Sequence, residues 1–106
     1  MPTIFHIAFA DQWEAAQRAG SYRWSTRGKS LDDGVTFIHC SHADQVATVT
    51  NSFYADVTEP LVLLEIDTDL LDVPVVEEVP APGMTETFPH VYGAIAPTAV
   101  VAVRPL

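Results

Sequence analysis

The order of the predicted helices and strands constrains the fold of this chain more than any other feature. Both helical patterns end by Phe53, whereas most strand patterns follow that residue. Repeating β-α-β units would alternate helices with strands along the whole chain, and this order does not. The sequence therefore predicts an α+β domain in which two helices of the N-terminal half pack on a compact mixed (split) β-sheet.

Two polar spacings mark the beginnings of the predicted helices. Asp11 and Glu14 have the spacing of a capping box, in which each side chain satisfies backbone N–H groups of the first helical turn. Ser41 and Asp44 repeat this spacing ahead of the second helix. Gly20 is suited to end the first helix in the left-handed conformation. We therefore expect a first helix from Asp11 to Gly20 and a second one headed by Ser41.

Five segments have the β-branched, aromatic or continuously apolar composition of strands. Leu61–Asp67 is the clearest, and because it is apolar almost throughout we expect it to be a central strand. Residues 21–34 are predicted to form a loop of about 14 residues, long enough to line a site. His90–Gly93 is predicted to be a short extended piece, and the five predicted strands are Thr3–Ala8, Val35–His39, Leu61–Asp67, Val73–Val79 and Thr98–Arg104.

Length and composition exclude several classes of protein. A chain of 106 residues, 48% of them apolar, is sufficient for one domain, residues 1–106, with its own core. Its 5 basic and 14 acidic residues give a net charge of −9, which disfavours general nucleic-acid binding. The apolar runs are far shorter than the roughly 20 residues of a membrane helix, and Cys40 has no second cysteine to pair with. We therefore expect a soluble cytoplasmic protein with no membrane segment.

Four histidines are the residues best suited to carry chemistry, because the imidazole ring titrates near neutral pH. His6 falls inside the first predicted strand, His39 and His42 flank the strand-to-helix junction, and His90 follows a proline. The alternative for His6 and His39 is a structural role as half-buried rings bonded to backbone. A metal site built from the four is a further alternative, although the chain has no Cys-x-x-Cys, His-x-x-x-His or His-Glu-x-x-His spacing. We therefore assign no metal ligand.

The junction around His39 has the features of an anion site. A helix capped by Ser41 would place free backbone N–H groups beside the His39 ring, and such helix ends attract anions. The preceding loop holds Arg23, Arg27 and Lys29, for which the alternative is that they are solvated loop charges. The neighbourhood is therefore a candidate site for a phosphate or carboxylate in an otherwise acidic chain.

Cys40, next to His39, offers another alternative. A thiolate at a helix N-terminus beside a histidine would have a lowered pKa and real nucleophilicity. Neighbouring residues of a strand point to opposite faces, so we expect the thiol to diverge from His39 and fill the core.

Segments spread along nearly the whole chain resemble the uncharacterised bacterial "domain of unknown function 952" family. The strings Phe-Ile-His-Cys-Ser at 37–41 and Phe-Pro-His-x-Tyr-Gly at 88–93 are the most specific of them. The resemblance implies a family and no established activity. The other segments that carry it are Phe5-His6-Ile7, Trp13 with Ala16 and Gly20, Gln45, Asn51-x-Phe53-Tyr54 and Leu63–Asp67.

The N-terminal half also resembles the RNA 2′-phosphotransferases, which share the ADP-ribosyltransferase fold and use NAD. The resemblance rests on the aromatic-His first strand, the Trp-bearing helix that ends in glycine, and the later hydrophobic-His-x-Ser strand. It implies that His6 contacts the NAD ribose and that His39 occupies the second-strand histidine position. Ile7 stands where those enzymes have a glycine, and their set of arginines has no clear counterpart here.

The same resemblance implies roles for charged residues. One of the three basic residues of the loop, Arg23, Arg27 or Lys29, would meet the NAD pyrophosphate. The glutamate that many transferases place on a later strand would be Glu77 or Glu78, or would be missing. Because these two are adjacent on a predicted strand, one of them faces inward and needs a partner.

Together these observations predict a cleft, lined by His6, His39 and His90, that binds a nucleotide-like or other anionic small molecule. If the domain is an enzyme, the resemblance implies an NAD-dependent ADP-ribosyl or phosphotransferase-like reaction. A non-catalytic binding module is the first alternative, and a His-ligated metalloenzyme is the second. The predicted catalytic residues are His39, as orienting donor or general base, and Glu78; the predicted cofactor-binding residues are His6, Arg23, Arg27, Lys29, Ser41 and His90.

Overall fold

The computed structural model describes residues 2–106, which form two α-helices and six β-strands. Within these residues neither helix has the length and apolar character needed to cross a membrane. The radius of gyration, 12.7 Å, is close to the value of about 13 Å for a compact chain of this size. The elements are β1 (Thr3–Phe9), α1 (Ala10–Ala19), β2 (Ile38–His39), α2 (Val46–Phe53), β3 (Leu61–Asp67), β4 (Val75–Glu78), β5 (Phe88–Val91) and β6 (Val100–Pro105).

The first sheet is antiparallel and has the strand order β1-β3-β6. Strand β3 lies in the middle, so the prediction of a central strand at Leu61–Asp67 is confirmed. Leu63 and Leu64 are adjacent residues of β3, so their side chains point to opposite faces of the sheet, and both side chains are buried. The continuous apolar run is therefore explained by a strand that is covered on both faces.

The second sheet is also antiparallel and has the strand order β2-β5-β4. Two backbone hydrogen bonds between Phe5 and Ser41, of 2.8 and 2.7 Å, join β1 to the chain just beyond β2. The α+β class is thus confirmed, with a correction to the predicted single mixed sheet. There are two separate sheets, and every strand pair among residues 2–106 is antiparallel.

Two apolar clusters form the core. One lies between the sheets, where Ile38 and Val91 of the second sheet join Leu64 of the first. The other lies on the opposite face of β3, where Val49 of α2 packs in the same cluster as Leu63. Helix α2 therefore packs on this second face of the first sheet, where Phe88 of β5 joins the same cluster.

The first helix begins differently from the prediction. It starts at Ala10, because β1 continues through Phe9 and runs directly into the helix, and Phe9 makes no side-chain cap bond. The predicted Asp11–Glu14 capping box is therefore wrong, and the Glu14 carboxylate instead accepts a hydrogen bond from the Arg18 guanidinium at 2.9 Å. The predicted end is confirmed, since Gly20 has a left-handed φ of 78°.

The second helix is not headed by Ser41. A short 3-10 helix, Ala43–Gln45, precedes α2 and has His42 at its N-cap position. The Gln45 side chain accepts a hydrogen bond of 2.9 Å from the His42 backbone N–H. The backbone of Ser41 is hydrogen-bonded to the backbone of Phe5. Ser41 therefore takes part in a long-range strand contact and is not the helix cap that its spacing suggests.

Several predicted strands are longer or shifted compared with those in the structure. Strand β2 lacks residues 35–37, because its pairing with β5 is limited to Ile38–Val91 and His39–His90. The predicted extended piece at His90–Gly93 is replaced by strand β5, which begins two residues earlier because Phe88 and Pro89 pair with Glu78 and Glu77 of β4. The predicted loop at 21–34 contains two 3-10 helices, Thr26–Gly28 and Leu31–Asp33. The other differences are β1 ending at Phe9, β4 spanning Val75–Glu78, and β6 beginning at Val100 after the 3-10 helix Pro97–Ala99.

Gly93, which follows β5, is the glycine whose replacement is expected to disturb the fold most directly. Its φ is +155°, and a Cβ added there would lie 2.6 Å from Cγ1 of Val73. We expect Gly93→Ala to lower the free energy of unfolding by about 2 kcal/mol through overpacking and backbone strain. Urea denaturation would measure the change.

The matched control for that substitution is Gly34→Ala. Gly34 also has a positive φ, of +95°, but a Cβ there meets no atom within 4 Å. It should therefore cost only the backbone strain, about 1 kcal/mol. Equal losses in the two variants would show that the contact with Val73 contributes nothing.

Candidate functional site

Three of the four histidines meet where β2 and β5 pair. His39 and His90 are opposite each other in the register, so their side chains share one face of the second sheet. Nδ1 of His39 lies 3.3 Å from Nε2 of His90, and Nδ1 of His6 lies 2.7 Å from the carbonyl oxygen of His39. His42 lies apart from them and pairs with Glu77 at 2.9 Å. The structure thus brings together the three histidines that were expected to line one cleft.

The hydrogen-bonded group of histidines continues from His90 to a carboxylate, that of Glu78, and to a phenol, that of Tyr92. The Glu78 carboxylate accepts a hydrogen bond from Nδ1 of His90 at 2.8 Å and another from the Tyr92 hydroxyl at 2.5 Å. The Tyr92 hydroxyl and the His90 ring lower the pKa of Glu78 because their hydrogen bonds favour its charged form. The His90 ring is almost completely buried and stacks on Phe37, with ring centres 3.9 Å apart. His90 is therefore fixed by its stacking as well as by its hydrogen bonds.

The His6 side chain, on β1, is buried against the loop that follows α1, and both of its ring nitrogens are hydrogen-bonded within the chain. Because a carbonyl oxygen only accepts, Nδ1 donates to His39, and Nε2 is left to accept the hydroxyl proton of Tyr22 at 2.9 Å. Burial lowers the pKa of His6 from 6.5 to about 4, so its ring is uncharged at neutral pH. A ribose contact through His6 would require one of these two hydrogen bonds to break.

His39 differs from the other two because one of its nitrogens is buried without a partner. Among residues 2–106 its Nε2 has no hydrogen-bond partner. Burial, with smaller contributions from His90 and His6, lowers the pKa of His39 to about 4. A buried polar atom that lacks a partner is uncommon in folded proteins, and it often marks a place where a water or ligand binds.

The His39 ring forms part of the wall of a cavity of about 460 Å³. Three phenylalanines supply much of the apolar surface, and Lys29 and Ser25 supply polar groups. Drug-sized ligands commonly occupy cavities of roughly 300–1,000 Å³. The full lining comprises Ser25, Thr26, Lys29, Val35, Phe37, His39, Phe53, Pro80, Ala81, Met84 and Phe88.

A second, much smaller hollow adjoins this cavity. It has a volume of about 10 Å³, and it shares Thr26 and His39 with the larger cavity as lining residues. Ser41 and Tyr54 contribute polar groups to its lining, and Ile7 and Val49 contribute apolar ones. About one water molecule would fill such a space. His39 therefore lines both a cavity large enough for a small-molecule ligand and a hollow about the size of one water molecule.

The three basic residues of the loop have different surroundings. The Arg23 guanidinium is bonded to Asp32 at 3.0 and 3.2 Å, and that of Arg27 to Asp56 at 2.9 Å. Lys29 lines the cavity, and among residues 2–106 no carboxylate lies within salt-bridge distance of its ammonium group. Of the three, Lys29 is thus the one available to an anion in the cavity.

The predicted helix N-terminus at Ser41 does not contribute to the site. Helix α2 begins five residues later, so its first N–H groups do not surround the His39 ring as expected. Cys40 is 1% exposed and belongs to the core between the sheets, and burial raises the pKa of its thiol. The expectation that Cys40 fills the core is confirmed.

Among the described residues, the histidines form no metal centre and do not line the other large groove. Within the described part of the chain, no three His, Cys, Asp or Glu side chains are grouped so that they could hold a metal ion. A groove of about 560 Å³ lies between α2 and the C-terminal residues Arg104 to Leu106, and it is lined by no histidine. Of the three histidines that were expected to line one cleft, only His39 lines the 460 Å³ cavity; His6 lines the smaller hollow, and His90 lines neither.

Sequence reasoning missed three aromatic residues of the site, namely Tyr22, Phe37 and Tyr92. Phe37 and Tyr92 belong to the two motif strings that contain His39 and His90, so their spacing of two residues from these histidines was an available signal. Tyr22 has no such signal, because its contact with His6 depends on how the loop folds back.

The comparisons with known proteins agree with this fold. The sequence profile of the family described as "Protein of unknown function (DUF952)" matches residues 7–103. A crystal structure of protein CC0527 from Caulobacter crescentus is similar with a TM-score of 0.80 and 25% identity, covering 99% of this chain and 86% of that one. A double mutant of the same protein gives 0.80 and 24% over the same shares, and its solution structure gives 0.68 and 27% over 100% and 85%. No curated protein matches significantly.

Proposed function

The chain belongs to the DUF952 family, whose description states no activity, and we therefore propose a function from the site itself. The domain binds a nucleotide-like anionic small molecule in the cavity beside His39. The observation that carries this proposal is the buried Nε2 of His39, which has no partner among the described residues. Leaving a buried polar atom unsatisfied costs roughly 1–3 kcal/mol, so a ligand that reaches this nitrogen and forms a hydrogen bond with it recovers the loss.

The apolar part of the cavity suits a flat ring. Phe37, Phe53 and Phe88 line it, and aromatic rings favour offset-stacked or edge-to-face contacts with other rings. The volume of about 460 Å³ leaves room for a nucleobase together with part of its sugar. This composition supports a ligand with an aromatic end buried among the phenylalanines.

The anionic part of the ligand would be held by Lys29. Its exposed ammonium group lines the cavity and is not neutralised by a neighbouring carboxylate among residues 2–106. The chain as a whole has a net charge of −9, so an anion is attracted by this local charge and not by the protein at large. Small anions are therefore favoured over polyanions, which would also meet the acidic remainder of the surface.

NAD and ADP-ribose are the first ligands to test, since the resemblance to the RNA 2′-phosphotransferases implies them. Binding without chemistry accounts for the geometry more simply than transfer does. Glu78, the carboxylate that a transferase would need, is bonded to His90 and Tyr92 and does not line the cavity. A cytoplasmic location belongs to the same proposal, supported by the unpaired thiol of Cys40, which that compartment keeps reduced.

Amide-resolved NMR titration of the whole chain with NAD, ADP-ribose and inorganic phosphate tests this function. We expect saturable shifts at residues 25–29, at Phe37 and His39, and at Phe88 with the two nucleotides. Phosphate alone should shift only the signals near Lys29, because it has no ring to fill the cavity. Silence of all these amides with NAD and ADP-ribose would refute the proposal.

Replacing Lys29 with glutamine is expected to weaken binding of ADP-ribose about fivefold, which corresponds to an exposed charge interaction of about 1 kcal/mol. The matched control is Arg18→Gln, which removes the same charge from the exposed face of α1. Isothermal titration calorimetry at low salt would measure both affinities. Equal losses in the two variants would mean that Lys29 acts only through net charge.

A further inference from the structure

The hydrogen bonds around His90 have a direction, and that direction determines which ring nitrogen of His39 carries the proton. A carboxylate such as that of Glu78 accepts only, and it receives bonds from the Tyr92 hydroxyl and from Nδ1 of His90. The proton of the His90 ring therefore lies on Nδ1. In the uncharged ring, Nε2 is then an acceptor.

The same reasoning applies to the ring of His39. Nε2 of His90 lies 3.3 Å from Nδ1 of His39, and a hydrogen bond between them requires His39 to donate. With its proton held on Nδ1, the uncharged His39 ring presents a bare lone pair at Nε2. That nitrogen is the buried atom without a partner.

We propose that Tyr92, Glu78 and His90 form a relay of positioning residues that holds His39 in the Nδ1–H tautomer. Nε2 of His39 is thereby kept as an acceptor, and the site selects ligands that present an N–H or O–H group to it. The identity of such ligands as nucleotides rests on the function proposed above, whereas the tautomer of His39 does not.

The surroundings of the relay are rigid enough to maintain this direction. His90 is stacked on Phe37 and is only 1% exposed, so its ring has little freedom to turn over. The backbone of His39 is fixed by its N–H, which donates to Ser25 Oγ at 3.0 Å, and by its carbonyl, which accepts from His6. Burial also lowers the pKa of His39, which favours the uncharged ring at neutral pH.

The tautomer can be read directly from long-range ¹H–¹⁵N spectra of the imidazole rings in the ligand-free protein at neutral pH. We expect His39 and His90 both to carry the proton on Nδ1. The wild-type spectrum alone is decisive, because a His39 ring with its proton on Nε2 would overturn the proposal. His42→Gln identifies the signals of the exposed ring and serves as the control, since that ring is not part of the relay.

The variant His90→Phe tests whether the relay is the cause. Phenylalanine preserves an aromatic ring against Phe37 but removes the acceptor for His39. We expect the His39 signals to move from one tautomer to a mixture of two, whereas an unchanged Nδ1–H tautomer would contradict the relay. Because this readout is a ring spectrum, a merely structural role of His90 would not produce it.

The selection of donors is tested with two matched probes. The 2′,3′-dideoxy form of adenosine 5′-monophosphate has an amino group that the 2′,3′-dideoxy form of purine riboside 5′-monophosphate lacks, and neither probe has a ribose hydroxyl. We expect the first to bind about tenfold more tightly. Equal affinities would contradict the selection. If neither nucleotide binds, the proposed nucleotide function fails, while the ligand-free spectrum still decides whether the relay exists.

Discussion

Lowering the pH from 6.5 to about 4 is expected to reduce the free energy of unfolding by about 3 kcal/mol through His6 alone. In the folded protein burial lowers the pKa of this ring to about 4, whereas in the unfolded chain it keeps the ordinary value of 6.5. Between these pH values the unfolded chain binds a proton that the folded protein does not. The stabilisation is therefore complete above pH 6.5 and is lost progressively as the pH falls towards 4.

Urea denaturation at a series of pH values, from about pH 4 to about pH 7, measures this dependence. His6→Gln should lose stability at neutral pH but should show a smaller further loss in acid. The matched control, His42→Gln, makes the same change at a half-exposed histidine and keeps the buried His6 ring, so its curve should retain the loss of stability in acid. Wild type and His6→Gln curves that run parallel would contradict the assignment. His39, whose pKa burial also lowers, adds to the slope in the same direction.

Leu64→Ala is expected to lower the free energy of unfolding by about 3 kcal/mol. Leu64 lies at the middle of β3, opposite His6 on β1 and Val103 on β6, and its side chain is completely buried. Truncation removes its apolar contacts and leaves a cavity between the two sheets. Because a domain of this size is stable by only about 5–15 kcal/mol, the loss should be visible as a large shift of the urea midpoint.

The control for the core is Leu70→Ala, which makes the same chemical change at a residue that is 52% exposed. We expect it to alter stability by less than about 0.5 kcal/mol. If both variants lost the same amount, burial of Leu64 would not be what stabilises the sheet. The two urea slopes should remain similar, since neither change alters the surface that unfolding exposes by much.

The sequence predicted those elements whose signal is local. Leu61–Asp67 is a continuous apolar run, and its bounds and central place were both correct. The head of the second helix was wrong because the Ser41 signal is a spacing of only three residues, and a contact with Phe5, far away in the chain, overrides it. The division into two sheets was likewise hidden, because it depends on which distant strands pair.

For the site, the sequence identified the histidines but not the direction of their bonds. His39 and His90 lie 51 residues apart, and they meet only because β2 and β5 pair in one particular register. A shift of that register by one residue would turn one of the two rings to the other face. The basic loop shows the same limit, since its composition does not reveal that Asp32 and Asp56 engage two of its cations. These partners could be found only from the folded chain.

The pairing of β1 with β3 affects what happens while the chain is being synthesised. Strand β1 is complete at Phe9, but its partner begins only at Leu61. Roughly 50 residues must be added in between, which at about 5–20 residues per second takes on the order of 3–10 s. During that interval the growing chain holds an apolar strand that lacks its sheet partner. The first sheet can close only after the middle strand has left the ribosome, so this sheet forms well after its first strand has been made.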